Sequence, residues 1–208
     1  MSFVFSTASA QNPSNYYVEV PRTFTGGLIL GANFTQVDGD AYAGYYKTGI
    51  NGGAIVYARI NSNFSASLEL LYSQKGSRSA FTQFSQNRRY TITDQKIKLN
   101  YVEFPVMLNY FDKRKSHVGA GLSYSRLISS SETITTVPTN TYDADKYPFK
   151  KGDLNIVAGG QLHLWKGLFA GIRFQYSLTS IRKNYDPEFN RSAQYNNMWT
   201  VRVMYLFD

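Results

Sequence analysis

The sequence predicts an all-β protein, an eight-stranded antiparallel up-and-down transmembrane β-barrel with short periplasmic turns and long extracellular loops. Three observations carry this reading. Apolar residues recur with a period of two in about eight segments, which is the signature of half-buried strands. The connections alternate between short and long, as in outer-membrane barrels, whose short turns face the periplasm. The last segment, Trp199 to Phe207, sets Trp199, Val201, Val203, Tyr205 and Phe207 against a face holding Arg202, and it ends on an aromatic like the sorting strand of such barrels.

Composition supports a membrane interface and excludes several chemistries. The 208 residues are 43% apolar, 17% charged and 16% aromatic, with Tyr 17 and Phe 14; rings of this kind collect where lipid meets water. Mean hydropathy is −0.33, which suits strands that alternate between lipid and lumen. No apolar run is long enough for a spanning helix. Cys is 0, so disulfides, thiolate metal sites and a cysteine nucleophile are excluded. The net charge is +8, but the Lys and Arg are scattered through loops rather than gathered on one folded face. Nucleic acid is therefore not an expected partner.

In chain order, residues 1–10 end on the small-x-small pattern Ala8-Ser9-Ala10 and are expected to be the remnant of a signal peptide. Met1 then reads as an internal methionine of a longer precursor. Residues 11–24 form a periplasmic lead-in, and residues 25–208 the barrel. The first strand, Gly26 to Val37, turns Leu28, Leu30, Ala32 and Phe34 to one side. Asp38-Gly39-Asp40 marks a turn, and Tyr45 to Ile60 resumes the alternation with Ile50, Ala54 and Val56. After Asn61-Ser62-Asn63, Phe64 to Ser73 places Leu68, Leu70 and Tyr72 opposite Ser67 and Glu69.

A polar stretch from Gly76 to Asp94 is expected to be a loop. Lys98 to Phe111 follows, with Phe104, Val106 and Leu108 against Glu103, Pro105 and Met107; Pro105 lacks a ladder donor, so a local kink is expected there. Beyond the charged turn Asp112 to Ser116, Val118 to Tyr124 alternates, and Ser129 to Gly152 is expected to be the second long loop. Leu154 to Leu164, the minimal turn Lys166-Gly167, Leu168 to Leu178, a third long loop from Arg182 to Asn196 and the final strand complete the set.

The faces opposite the apolar set carry Glu69, Glu103, Arg173 and Arg202 near mid-strand. Buried charges require partners, so Glu69 and Glu103 are expected to pair with Arg173 and Arg202 as a structural lumen cluster. A soluble lipocalin-like barrel would instead turn its apolar set inward.

The segments Leu70-Leu71-Tyr72-Ser73-Gln74-Lys75-Gly76 and Leu99-Asn100-Tyr101-Val102-Glu103-Phe104-Pro105-Val106-Met107-Leu108 resemble those of the PorT-type small outer-membrane barrels of Bacteroidetes. These are similar in architecture to OmpX and OmpA barrels. The resemblance implies the fold and a bacterial outer-membrane location with both termini in the periplasm. It also implies an accessory role in the envelope, linked in some members to type IX protein secretion. Asp208 departs from the pattern, which more often ends on the aromatic.

No catalytic residue is assigned. A lipid A-modifying hydrolase would need histidine, serine and an acid at one level near the outer leaflet, whereas His117 and His163 fall beside short turns at the other rim. Asp38-Gly39-Asp40 and Asp143-Ala144-Asp145 lack calcium-loop spacing and read as solvated turn acids, so no metal and no cofactor is expected. Basic and aromatic residues concentrate in the long loops: Arg78, Arg88, Arg89 and Tyr90; Lys146, Tyr147, Lys150 and Lys151; Arg182, Lys183 and Arg191. They form a candidate surface for lipopolysaccharide, another extracellular ligand or an envelope protein. The expectation is a non-enzymatic barrel, either a structural or accessory envelope component or a loop-mediated binder.

Overall fold

The computed structural model describes residues 23–40, 44–79, 81–140, 143, 146–182, 184–189 and 192–207. The expected leader, residues 11–22 of the lead-in, and Lys183, Arg191 and Asp208 lie outside the described residues. The strands are β1 (Phe24–Asp38), β2 (Lys47–Arg59), β3 (Phe64–Arg78), β4 (Gln83–Phe84), β5 (Thr91–Phe111), β6 (His117–Val137), β7 (Gly152–Trp165), β8 (Leu168–Ser177) and β9 (Tyr195–Leu206). Neighbours pair in the order β3-β2-β1-β9-β8-β7-β6-β5, and β3 also pairs with β5, so eight strands close a ring. Closure removes every sheet edge of the ring, which is what allows strands to stand in lipid. β4 pairs only with β5 and stands outside the ring.

The final strand closes the ring against the first, from Gly27↔Leu206 to Asp38↔Tyr195. Trp199, Val201, Val203, Tyr205 and Phe207 are exposed on the outside. The same outward parity gives Leu28, Leu30, Ile50, Val56, Leu68, Leu70, Phe104, Val106, Leu108, Leu122, Ile156 and Ile172, an apolar belt around the barrel that water alone would not tolerate.

Three tight turns share a rim with the start of β1 and the end of β9. Asn61 Oδ1 accepts from the amides of Asn63 (2.9 Å) and Phe64 (2.8 Å). Asp112 Oδ1 accepts from Arg114 N (2.8 Å). These are side-chain-closed turns of the kind Asn and Asp favour. The opposite rim carries the longer connections.

Three strands are longer than the sequence pattern suggests. β3 runs on to Arg78, β5 begins at Thr91, and β6 extends to Val137, so parts of both polar stretches expected to be loops are strand. The physical reason is a change in what each face of β5 carries, with the odd-numbered residues from Gln95 to Asn109 pointing inward throughout. Toward the turn rim, β5 turns Phe104 and Val106 outward and buries Glu103 and Asn109; toward the loop rim it buries Ile92, Ile97 and Leu99 and turns Lys96 and Lys98 outward. The change coincides with a register shift at Asn100/Tyr101, where β6 gains a residue between Leu127 and Ser129. The bulge swaps the faces of β6 beyond it, so that Glu132, Ile134 and Thr136 turn inward, while β5 keeps the same residues facing in and out. A polar outer face with an apolar inner face is a strand leaving lipid for water.

Pro105 does not shift register. The β3–β5 ladder runs from Leu68↔Val106 directly to Leu71↔Glu103 with its alignment preserved. The missing amide leaves a local gap in the β3–β5 ladder.

Candidate functional site

Inside the ring, among the described residues, five ion pairs join four cations to four carboxylates, so the paired interior charge is balanced. They fall at three levels, set by how far each residue lies along its strand.

Nearest the turn rim, Glu69 is clamped by two arginines. Arg173 Nη1 donates to Glu69 Oε2 (2.9 Å) and Nη2 to Oε1 (2.6 Å), a bidentate fork. Arg202 Nη1 donates to both oxygens at 3.0 and 3.2 Å. With its amide oxygen turned inward, Gln161 accepts from Arg202 Nε (2.6 Å) and Nη2 (2.7 Å), which gives the second guanidinium a neutral acceptor. Backbone space for Arg202 comes from its cross-strand partners, Gly31 and Gly171. A Cβ at Gly31 would lie 2.5 Å from Val201 O and 2.7 Å from Arg202 Cβ. Below this level the rim is closed by aromatics: His117 stacks on Phe111 with centroids 4.2 Å apart, and its Nε2 shares a 2.8 Å hydrogen bond with Tyr57 Oη.

At mid-height, Lys75 Nζ meets Glu103 Oε1 at 2.6 Å and Asp153 Oδ2 at 3.9 Å, with the Tyr101 ring 5.0 Å away. Glu103 Oε1 also accepts from Ser125 Oγ and Gln175 Nε2, each at 3.1 Å. Asp153 Oδ2 accepts from Ser177 Oγ (2.9 Å) and Asn196 Nδ2 (3.0 Å). At the top, Arg182 turns inward, meets Glu132 Oε2 at 2.7 Å and places its guanidinium 3.7 Å from the Phe149 ring centroid, a close cation–π contact. Val37, Ile97, Leu99, Tyr101 and Ile181 pack together as a buried apolar cluster.

The residues expected to form one lumen cluster thus separate. Glu69, Arg173 and Arg202 come together, whereas Glu103 sits a level higher on Lys75. Lys75, Asp153 and Glu132 were missed because they lie in or beside stretches that read as polar loop. Continuing the alternation past Ser73 gives Lys75, and stepping back from Asn155 gives Asp153; Glu132 lies beyond the bulge and has no such signal. Arg182, expected on the surface, is 1% exposed, because its charge is satisfied inside by Glu132 and the loop is held by Lys150 N→Ile181 O (2.8 Å) and Ile181 N→Gln194 O (2.8 Å).

Of the other loop residues, Arg78, Arg88, Arg89, Lys146 and Lys151 are exposed, and Tyr90, Tyr147 and Lys150 half-buried. Two loops are tied together. Glu188 accepts from Ser85 Oγ (2.6 Å) and from the Asn87 amide, while its backbone oxygen receives Gln86 N (3.0 Å). Phe189 is buried with Ile92 and Ile134 and stands beside Tyr90. The Ser85 hydroxyl first, then Asn87, hold the Glu188 carboxyl below its ordinary range. Asp40, expected as a solvated turn acid, is buried, and Asp38 accepts from Gln36 Nε2 at 2.7 Å and Asn197 Nδ2 at 3.2 Å. Among the described residues neither imidazole bonds to a serine side chain or a carboxylate; His163 Nε2 meets Lys166 O.

A comparison with curated protein sequences finds no match. Among solved structures, the chain is similar to the attachment invasion locus protein Ail of Yersinia pestis (13% identity, TM-score 0.45, 89% of this chain and 100% of that one). It is also similar to Neisserial surface protein A (11%, 0.44, 88% and 96%) and OprG of Pseudomonas aeruginosa (8%, 0.42, 88% and 94%). Residues 9–183, more than half of the chain, match the family of the outer membrane protein beta-barrel domain: the protein belongs to that family, and its place is the outer membrane.

Proposed function

We propose that the protein is a non-enzymatic, non-conducting barrel that holds a pre-ordered recognition surface for a protein partner on its loop-side rim, with that rim outside the cell and both termini in the periplasm. The observation that carries this reading is the clasp of Glu188 and Phe189 onto the Ser85 to Ile92 hairpin. Loops fixed before binding lose less freedom on association. Phe84 stands 68% exposed and Val137 61% exposed beside the clasp, with Arg88 and Arg89 on the same hairpin. Aromatic and arginine side chains on an ordered scaffold have the composition of interface hot spots.

The filled bore supports the absence of conduction, since eight strands leave space only for side chains and the paired charges and aromatic rim occupy it. The surroundings of His117 and His163 support the absence of hydrolytic chemistry, which needs an adjacent nucleophile and acid. A partner from an envelope or secretion assembly is what the PorT-type resemblance implies; an extracellular ligand is the other case.

Isolation from native membranes in mild detergent, followed by mass spectrometry, tests the reading. A stoichiometric protein partner is expected, and Phe84→Ser combined with Arg88→Ser should release it. Wild-type protein isolated with lipid alone would sink the proposal.

A further inference from the structure

Among the described residues the cations of the lumen are matched by carboxylates, while a group gathered on the outer wall is not. Where β3 and β5 leave the apolar belt, Arg78 lies directly opposite Lys96 and Gly76 opposite Lys98. Lys47 joins them from β2. Gly76 is at φ +130°, and a Cβ there would stand 3.2 Å from Lys47 Cδ, so the lysine stem lies across the bare backbone. Its ammonium is near enough to feel the charges of Lys96 and Lys98. These four cations, with Tyr46 and Gln74, line a hollow of about 470 Å³.

Among the described residues no carboxylate lies within 4.0 Å of these four cations. Asp94, two residues beyond Lys96, accepts instead from Ser79 Oγ at 3.5 Å. Like charges directly opposite in a ladder are destabilising, so the cluster is built for an anion that arrives from outside. Its height identifies the source. The next outward positions toward the turn rim are Tyr72 and Leu70, both exposed, so the hollow sits immediately above the lipid-facing belt, at the depth of headgroups.

We propose that the outer wall formed by Lys47, Arg78, Lys96 and Lys98 binds the phosphorylated headgroup of an outer-leaflet lipid. Three lysines and an arginine presented on rigid strands favour a group bearing more than one phosphate charge. The site goes beyond the partner-binding rim, since it lies on the barrel wall and is independent of the clasp.

The test uses the full chain in detergent micelles, with native mass spectrometry of lipid retained from an equimolar mixture of diphosphorylated lipid A and its dephosphorylated form. Wild type should retain the phosphorylated lipid preferentially. The Lys96→Gln, Lys98→Gln double variant should lose that preference roughly thirtyfold, at about fivefold per lysine removed from an anionic surface. Both substitutions are outward-facing, and the heat-dependent gel shift of a folded barrel verifies that the variant is folded. Arg88→Gln with Arg89→Gln, on the clasp, should leave the preference unchanged. Equal retention of the two lipids by wild type would overturn the proposal. So would loss of preference in the clasp variant alone, or inorganic pyrophosphate binding as tightly as the lipid.

Discussion

The two halves of this barrel solve opposite problems with the same strands. In the belted half the outside is apolar and the inside holds Glu69, Arg173, Arg202, Lys75, Glu103 and Asp153; in the loop-side half the inside holds Ile92, Ile97, Leu99 and Ile181, and lysines point outward. Lipid supplies no hydrogen bonds, so the belted half must satisfy every polar group internally, and its stability is staked on charge pairing. The loop-side half stands in water and is held, as a soluble domain is, by buried apolar side chains. The difference teaches that charge substitutions weigh most in the belted half, and that in the loop-side half the buried pair Arg182–Glu132 stands beside apolar packing.

The sharpest way to break that comparison is at Glu69. Glu69→Ala leaves two buried guanidiniums facing each other, and uncompensated buried charge costs about 3–5 kcal/mol; urea unfolding from lipid vesicles should show a loss of that size. Lys75→Met, which strips Glu103 and Asp153 of their cation, should fall at the lower end of the same range. Arg202→Met should cost less, about 1–3 kcal/mol, the scale of hydrogen bonds to a charged group, because Glu69 keeps its fork with Arg173. Unchanged thermal melting of the refolded variant would show that Arg202 is not part of the cluster.

Arg182→Ala removes the pairing with Glu132 and the contact with Phe149. It should raise amide exchange around Ile181 and Gln194 while leaving amides of the belted half protected; equal loss in both halves would join what is here described as separate. The smallest effect is at the clasp. The carboxyl of Glu188 is depressed when folded, so its stabilisation is present above the unfolded carboxylate range and is lost as pH falls through the lower, folded value. Protection of the Gln86 and Phe189 amides, measured against the intrinsic exchange rate at each pH, should therefore fall in acid, and Glu188→Gln should remove that dependence.

The belted half was largely legible in the sequence, and the loop-side half was not. Leu68, Leu70, Phe104 and Val106 announce their lipid face through strict alternation, because lipid leaves no choice of outward residue. Glu69, Arg173 and Arg202 are conspicuous as charges in such strands. From Asn100 toward the loop rim the apolar residues of β5 are the inward ones, Ile97 and Leu99, and the outward ones are Lys96 and Lys98, so the lipid-face rule stops at Lys98 and the strand from Thr91 to Ile97 goes unread. Arg182 carried no signal of burial at all. Its partner Glu132 is 50 residues away in sequence, and such a pairing is set by the closed ring rather than by any local pattern.

The passage of the outer face of β5 from lipid to water is tested most directly by single cysteines, since the chain has no native Cys. Cysteines placed one at a time from position 94 to position 108 in lipid vesicles, probed with a membrane-impermeant maleimide, report water access residue by residue. Asp94→Cys, Lys96→Cys and Lys98→Cys should react. Ile97→Cys and Leu99→Cys should resist because they are inside, and Phe104→Cys, Val106→Cys and Leu108→Cys because they face lipid. Equal reaction at 97 and 96, or labelling at 104 and 106 as fast as at 96 and 98, would contradict the division of the outer wall into a lipid-facing and a water-facing half.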